Sequence, residues 1–311
     1  MRHSVTPSDL AASVMAVPPL ALTDSGEFSN EGNRAVLDHL RSGGVTTVLY
    51  GGNALAQHWP VGVYADWLDR LQAMASDDTW LLPSVGPDAG KMMDQAVVLK
   101  ARHFPVALLV PMGAPLTHEG MGAALRRFHA ACGVQLLVYI KTDGYIPAPL
   151  LGDLLAEGVV FGVKYAVPRV ANEPDPYLRD IVAAIGADRV ISGFGEPPAI
   201  AHMLQDGLAG FTAGCVCIAP ALSMALMTAL QRGDEAEARH LLVPMQPLED
   251  LRGAQGEIRV LHDALALSGL ARTGPILPPM THPDAAHHDA IAAAAQGLLA
   301  AEQDYRAAHA A

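Results

Sequence analysis

The chain has 311 residues, 51% hydrophobic but only 5% aromatic and 17% charged, enough apolar material for a large core and too much for a disordered chain. A formal net charge of −12, with no Lys/Arg cluster, excludes the basic footprint of a nucleic-acid binder. No stretch approaches ~18 uninterrupted apolar residues, so no membrane span is expected.

Short β-like runs alternate with longer helical patterns along the chain. In order, the runs are Ser13–Val17, Thr46–Tyr50, Trp80–Ser84, Val106–Val110, Gln135–Tyr139, Val159–Lys164, Arg189–Ser192 and Gly210–Ala213. Helical stretches fall between them at Asn33–Ser42, Val63–Ala75, Lys91–Arg102, Gly120–Cys132, Pro149–Glu157, Pro176–Ile185 and Pro197–Asp206. This alternation predicts a (β/α)8 barrel. An open doubly wound sheet is the rival, but no Gly-rich fingerprint follows Val17. After Ala219-Pro220 the strands stop, and Ala221–Gln231, Asp234–Leu251 and Gly256–Leu267 read as helices. A Pro-rich crossing, "TGPILPPMTHPD", leads to a last helix from about Ala285. The expected organisation is a barrel over 1–220 and a helical extension over 221–311, packed on the barrel or between subunits.

The apolar segment Leu10–Leu22 is broken by Pro18 and Pro19 and has only Arg2 as a charged start, so it does not read as a secretory leader. Cys132, Cys215 and Cys217 are an odd set without metal-ligand spacing. They read as small buried apolar residues, the last two on one face of a strand, and a cytoplasmic location is expected. The 13 histidines are scattered without His-x-His or His-Glu-x-x-His spacing. His287-His288 read as part of a solvated helix face, so no metal and no cofactor are expected. Glu196 and Asp143 read as carboxylates of surface loops on the barrel rim.

"EGVVFGVKYAV", residues 157–167, ends an apolar strand on Lys164. Alternation puts Val160, Gly162 and Lys164 on one face and Val159, Phe161 and Val163 on the other. With Phe161 assigned to the helix layer, Gly162 faces inward and leaves space beneath the lysine. At the carboxyl end of the sixth strand, desolvation would lower the amine's pKa and free it to attack a carbonyl. A lysine that snorkels outward or pairs with a carboxylate is the other reading. Tyr139 ends the neighbouring strand, where a phenol can relay protons as a carbinolamine collapses to an imine.

These features resemble the dihydrodipicolinate synthase / N-acetylneuraminate lyase family of class I aldolases. Gly162-Val163-Lys164 matches the family's Schiff-base triplet, and Tyr139 its catalytic tyrosine. "GLAGFTAGCVCIAP" from Gly207 resembles the eighth-strand signature, and "SGFGE" from Ser192 the segment after the seventh strand. "TGPILPP" near Thr273 and "DSGEF" at Asp24 resemble the tail crossing and the loop after the first strand. The resemblance implies Lys164 and Tyr139 as catalytic residues. It implies Gly51, Gly52, Asn53, Lys141, Gly193 and Thr212 as substrate contacts.

The departures are as informative. Where the family has Gly-Thr-Thr-Gly-Glu to hold the 2-oxo acid's carboxylate, this chain has Gly51-Gly52-Asn53-Ala54-Leu55, without hydroxyls. Backbone N–H groups of a glycine-rich turn still suit an anion, and Asn53 offers a side-chain donor. The synthase's second relay tyrosine falls near Met112-Gly113, and its arginine near Gly144, with Lys141 as the substitute charge. "VYIKTDGYIP" loosely resembles the sugar-acid dehydratase branch. The expected function is therefore a Schiff-base aldolase or dehydratase acting on a 2-oxo acid, and not authentic dihydrodipicolinate synthesis. The alternatives are a catalytically altered barrel that binds a small carboxylate or carbonyl compound, and a metal-dependent barrel hydrolase. The family implies a homodimer or homotetramer.

Overall fold

A computed structural model describes residues 1–170 and 173–309. Nine short parallel strands form one nearly closed barrel: β1 Met15–Ala16, β2 Thr47–Leu49, β3 Trp80–Leu82, β4 Ser84–Val85, β5 Val106–Leu109, β6 Gln135–Ile140, β7 Val160–Tyr165, β8 Val190–Ser192 and β9 Gly210–Ala213. Met15 of β1 pairs with both Thr47 of β2 and Thr212 of β9, which joins the two ends of the chain of staves. The third of the eight expected staves is split into β3 and β4 because Pro83 has no N–H to donate. Hydrogen bonds on both sides of the break, Tyr50 N to Leu82 O and Leu108 N to Pro83 O, keep the wall continuous.

Helices α1 Asn30–Ser42, α2 Val61–Met74, α3 Ala89–Lys100, α4 His118–Cys132, α5 Ala148–Ala156, α6 Pro176–Ile185 and α7 Glu196–Leu204 surround the strands. Helix α8, Pro220–Gln231, packs against both α1 and α7 and completes the ring. Helix α1 starts three residues before its expected first residue because Ser29 Oγ accepts the N–H of Gly32. Thr117 caps α4 in the same way through Gly120. Beyond the ring lie α9 Glu235–Leu242, α10 Gln246–Gln255, α11 Glu257–Leu267 and α12 His288–Ala308. The single helix expected over Asp234–Leu251 is broken by a 3-10 turn at Val243–Met245, where Pro244 and Pro247 remove two donors. No helix among the described residues is long and apolar enough to cross a membrane.

The core has two layers. The larger lies between strands and helices. The smaller fills the barrel with Met15, Leu49, Trp80, Leu108, Leu137 and Phe161, among others. Leu10, on the 3-10 turn Pro7–Ala11, plugs the barrel's amino end as part of this inner cluster.

Phe161 corrects the expected facing of β7. It lies inside the barrel, its ring edge-on to Trp80 at 5.6 Å, and not in the helix layer. The cause is a bulge: Leu136 pairs with Val160 but Leu137 pairs with Gly162, so Phe161 is the extra residue. Gly162 does not open space beneath the lysine either. A Cβ there would stand 2.4 Å from the carbonyl oxygen of Arg189, so the glycine permits a close backbone approach. The bulge preserves the outcome that matters, because Val163 points to the helices and Lys164 points inward.

Gly162→Ala is expected to destabilise the fold by roughly 1–3 kcal/mol, since backbone and not a flexible side chain must move. Urea unfolding measures this, and an unchanged midpoint would show that β7 and the segment before β8 can part freely.

Candidate active site

Lys164 and Tyr139 are direct partners in the β6–β7 register. Both side chains enter a cavity of about 250 Å³ at the carboxyl ends of the strands. The lysine is 6% exposed, and its Nζ lies 3.7 Å from the centroid of the Tyr139 ring. It therefore neither snorkels outward nor forms an ion pair with a carboxylate among the described residues. Desolvation, followed by the charge of Lys141, lowers its pKa to about 7, with Glu257 opposing and Arg252 adding to the shift. The ring face offers a weak attraction to the charged form, which is outweighed. Burial raises the Tyr139 phenol above its ordinary value, so it is a proton carrier and not a standing anion.

Gly193 is shaped by the lysine. A Cβ there would stand 2.9 Å from the Tyr165 carbonyl oxygen and 3.1 Å from Lys164 Cγ, so only glycine lets β8 pass this closely. Thr212 lines the opposite wall and donates to Ser192 O at 3.3 Å. Lys141 also lines the cavity, its Nζ 5.8 Å from the Tyr139 ring centroid.

The turn after β2 is more selective than its sequence implied. Gly52 and Asn53 line the cavity, but Gly51 does not; it is buried against Leu49 and Leu108. Asn53 Nδ2 donates to Val17 O at 2.7 Å, so this amide fastens the turn to the end of β1. The N–H groups of Gly52 and Asn53 have no backbone acceptor among the described residues. An anion-binding turn is thus available through main chain.

Sequence reasoning missed the contribution of the C-terminal helices. Arg252 of α10 and Glu257 and Ile258 of α11 close over the cavity beside Phe194. Gly256, at φ 103° and ψ 117°, makes the turn that brings α11 across the mouth. Arg252 lies on Gly214, where a Cβ would come within 2.5 Å of its guanidinium carbon. It pairs with Glu249 of its own helix, which keeps it charged although burial works against the charge. The only sequence signal was "LRGAQGE", charges spaced by glycines between two helices.

Several residues set aside in the sequence have different settings. Glu196 is not on a surface loop but fully buried, accepting from Val216 N at 2.9 Å and Ser223 Oγ at 3.3 Å. Burial and the nearby Glu249 raise its pKa to about 8. Asp143 is exposed and paired with Arg169. Cys215 and Cys217 are fully buried, but on a 3-10 turn after β9 and not on a strand. Cys215 Sγ donates to Glu249 Oε1 at 3.0 Å.

A parallel barrel with its cavity at the carboxyl ends of the strands defines the TIM-barrel class. Residues 146–298 match the model of the dihydrodipicolinate synthetase family. A dihydrodipicolinate synthase from Bacillus clausii superposes with a TM-score of 0.80 at 19% identity, over 95% of this chain and 99% of that one. Sialic acid aldolase of Ruminococcus gnavus gives 0.82 at 15% identity, over 94% and 99%. A prophage protein of the dihydrodipicolinic acid synthase family from E. coli, in complex with pyruvate, gives 0.78 at 16% identity, over 92% and 98%. No curated protein matches the sequence. Residues 146–298 thus resemble the dihydrodipicolinate synthetase family in sequence, and the whole chain shares the fold of these structures.

Because the folded state holds Lys164 with a pKa near 7 against 10.5 unfolded, the unfolded chain binds more protons between these values. The lysine's cost is therefore complete below pH 7, about 5 kcal/mol, and fades as pH rises toward 10.5. Lys164→Met is expected to be more stable than the parent at pH 6, with the gap narrowing at pH 9 in urea unfolding. An equal gap at both pH values would mean that the amine is not desolvated.

Proposed function

We propose that the protein is a Schiff-base lyase, an aldolase or dehydratase, acting on a 2-oxo acid and distinct from dihydrodipicolinate synthase. The observation that carries this reading is the desolvated Lys164 amine over the Tyr139 ring inside a cavity large enough for a small acid. The neutral amine attacks the keto carbon and forms a carbinolamine. Tyr139 returns a proton to the departing hydroxyl, water leaves, and the iminium draws electrons from the neighbouring carbon. The N–H groups of Gly52 and Asn53 hold the carboxylate, with Lys141 supplying positive charge above it.

The same geometry supports a distinction from the synthase. At the position of the second relay tyrosine stands Met112, whose N–H donates to Tyr145 Oη at 2.8 Å. Tyr145 does not line the cavity. A proton relay with two phenols at the reacting centre has no counterpart among the described residues, while Lys141, Arg252 and Glu257 supply charge for the distal part of a polar substrate.

Borohydride reduction in the presence of pyruvate and longer 2-oxo acids, followed by peptide mass spectrometry, is expected to trap an adduct on Lys164. The rate of trapping should rise as pH increases through about 7, because only the deprotonated amine attacks. Tyr139→Phe should still form the adduct but slow it by roughly 10²-fold. No adduct with any of these acids would refute the proposal and leave a binding protein.

Gly193→Ala is expected to slow trapping at least about tenfold by displacing Lys164 Cγ, at a stability cost of roughly 1–3 kcal/mol. Unchanged trapping would show that the lysine does not depend on this approach.

A further inference from the structure

Away from the barrel mouth, three histidines and one carboxylate converge where α11, the Pro-rich crossing and the first turn of α12 meet. We propose that His262, Asp263, His282 and His288 form a binding site for a zinc-class divalent cation. A ring nitrogen of His262, a carboxylate oxygen of Asp263 and a ring nitrogen of His282 all lie within 4.8 Å of one another. Asp263 Oδ1 is 2.6 Å from His282 Nδ1, and Oδ2 is 3.6 Å from His288 Nε2. Asp263, His282 and His288 border a cavity of about 200 Å³ that also touches Arg272, Thr273 and Gly274, while His262 reaches the cluster from behind Asp263 without lining it.

Two features point to a cation and not only to a hydrogen-bonded clasp. First, Asp263 is 7% exposed, and its ion-pair partners among the described residues are imidazoles alone. A carboxylate so far from water needs a positive partner, and an imidazole is one only when protonated. Second, His288 Nε2 is shut off from solvent and has no hydrogen-bond partner among the described residues. The His288 side chain as a whole is 43% exposed, in keeping with the solvated helix face that the sequence suggested, and only Nε2 is turned inward.

His262 fits the same scheme. Its Nε2 is 2.9 Å from the Gly274 carbonyl, to which it donates, a contact that fixes the tautomer and leaves Nδ1 with its lone pair for a cation. Zinc–nitrogen and zinc–oxygen bonds of about 2.0–2.1 Å place tetrahedral ligand atoms roughly 3.3 Å apart. The 2.6 Å contact would therefore open and the 3.6 Å contact close, each by less than an ångström. Three nitrogens and one oxygen suit zinc better than the all-oxygen preference of magnesium or calcium. The cation would fasten the crossing and α12 onto α11, the helix whose first turn covers the barrel mouth.

The test is zinc and cobalt(II) titration of the full chain after chelator treatment, read by calorimetry, visible absorption and thermal melting. The expected result is one cation per chain with low-micromolar or tighter affinity, a raised Tm, and a cobalt spectrum without a thiolate charge-transfer band. That last readout separates this site from the buried Glu196–Cys215–Glu249 cluster. A His282→Ala/His288→Ala double variant should weaken binding by at least about tenfold and lose the Tm rise. His288→Gln alone, on the half-exposed first turn of α12, serves if the double variant does not fold, and should also weaken binding. Failure of the parent protein to take up either cation, affinity unchanged in the variants, or a thiolate band would overturn the proposal.

Discussion

The site depends on keeping water away from one amine. Among the described residues Lys164 has no carboxylate partner, so its surroundings decide whether it holds a proton. The inner apolar cluster below it, the Tyr139 ring beside it and the helices across the mouth remove solvent. Lys141 and Arg252 then tilt the balance further toward the neutral form. A large apolar core can absorb the stability cost of such a residue.

That requirement explains several otherwise unrelated glycines. Gly162 lets β7 approach the backbone before β8, Gly193 lets the next strand pass the lysine stem, and Gly214 provides the bed for Arg252. In each case a methyl group would displace something in or beneath the cavity. The bulge at Phe161 has a related effect, giving the barrel interior an aromatic ring while leaving the register at Tyr139 and Lys164 intact.

Much of this was legible in the sequence. Strand runs ending in Tyr139 and Lys164 placed both side chains at the rim, because period-2 alternation and apolar runs survive small boundary errors. The facing of Phe161 was not legible, since a one-residue bulge leaves no mark on an apolar run. The expected donor role of Asn53 met a competing carbonyl three-dimensionally close but 36 residues away in the chain. Arg252 and Glu257 were missed because tertiary docking of α10 and α11, and not local pattern, brings them to the cavity. The histidines around Asp263 escaped for the same reason, being scattered over three segments.

Helices α10 and α11 also divide responsibility within the chain. The strands carry the amine and the phenol, whereas the distal charges hang from a separate lid joined through Gly256. Because Arg252 and Glu257 also push the Lys164 amine in opposite electrical directions, a change in the lid alters at once what the cavity can hold and the charge at its floor.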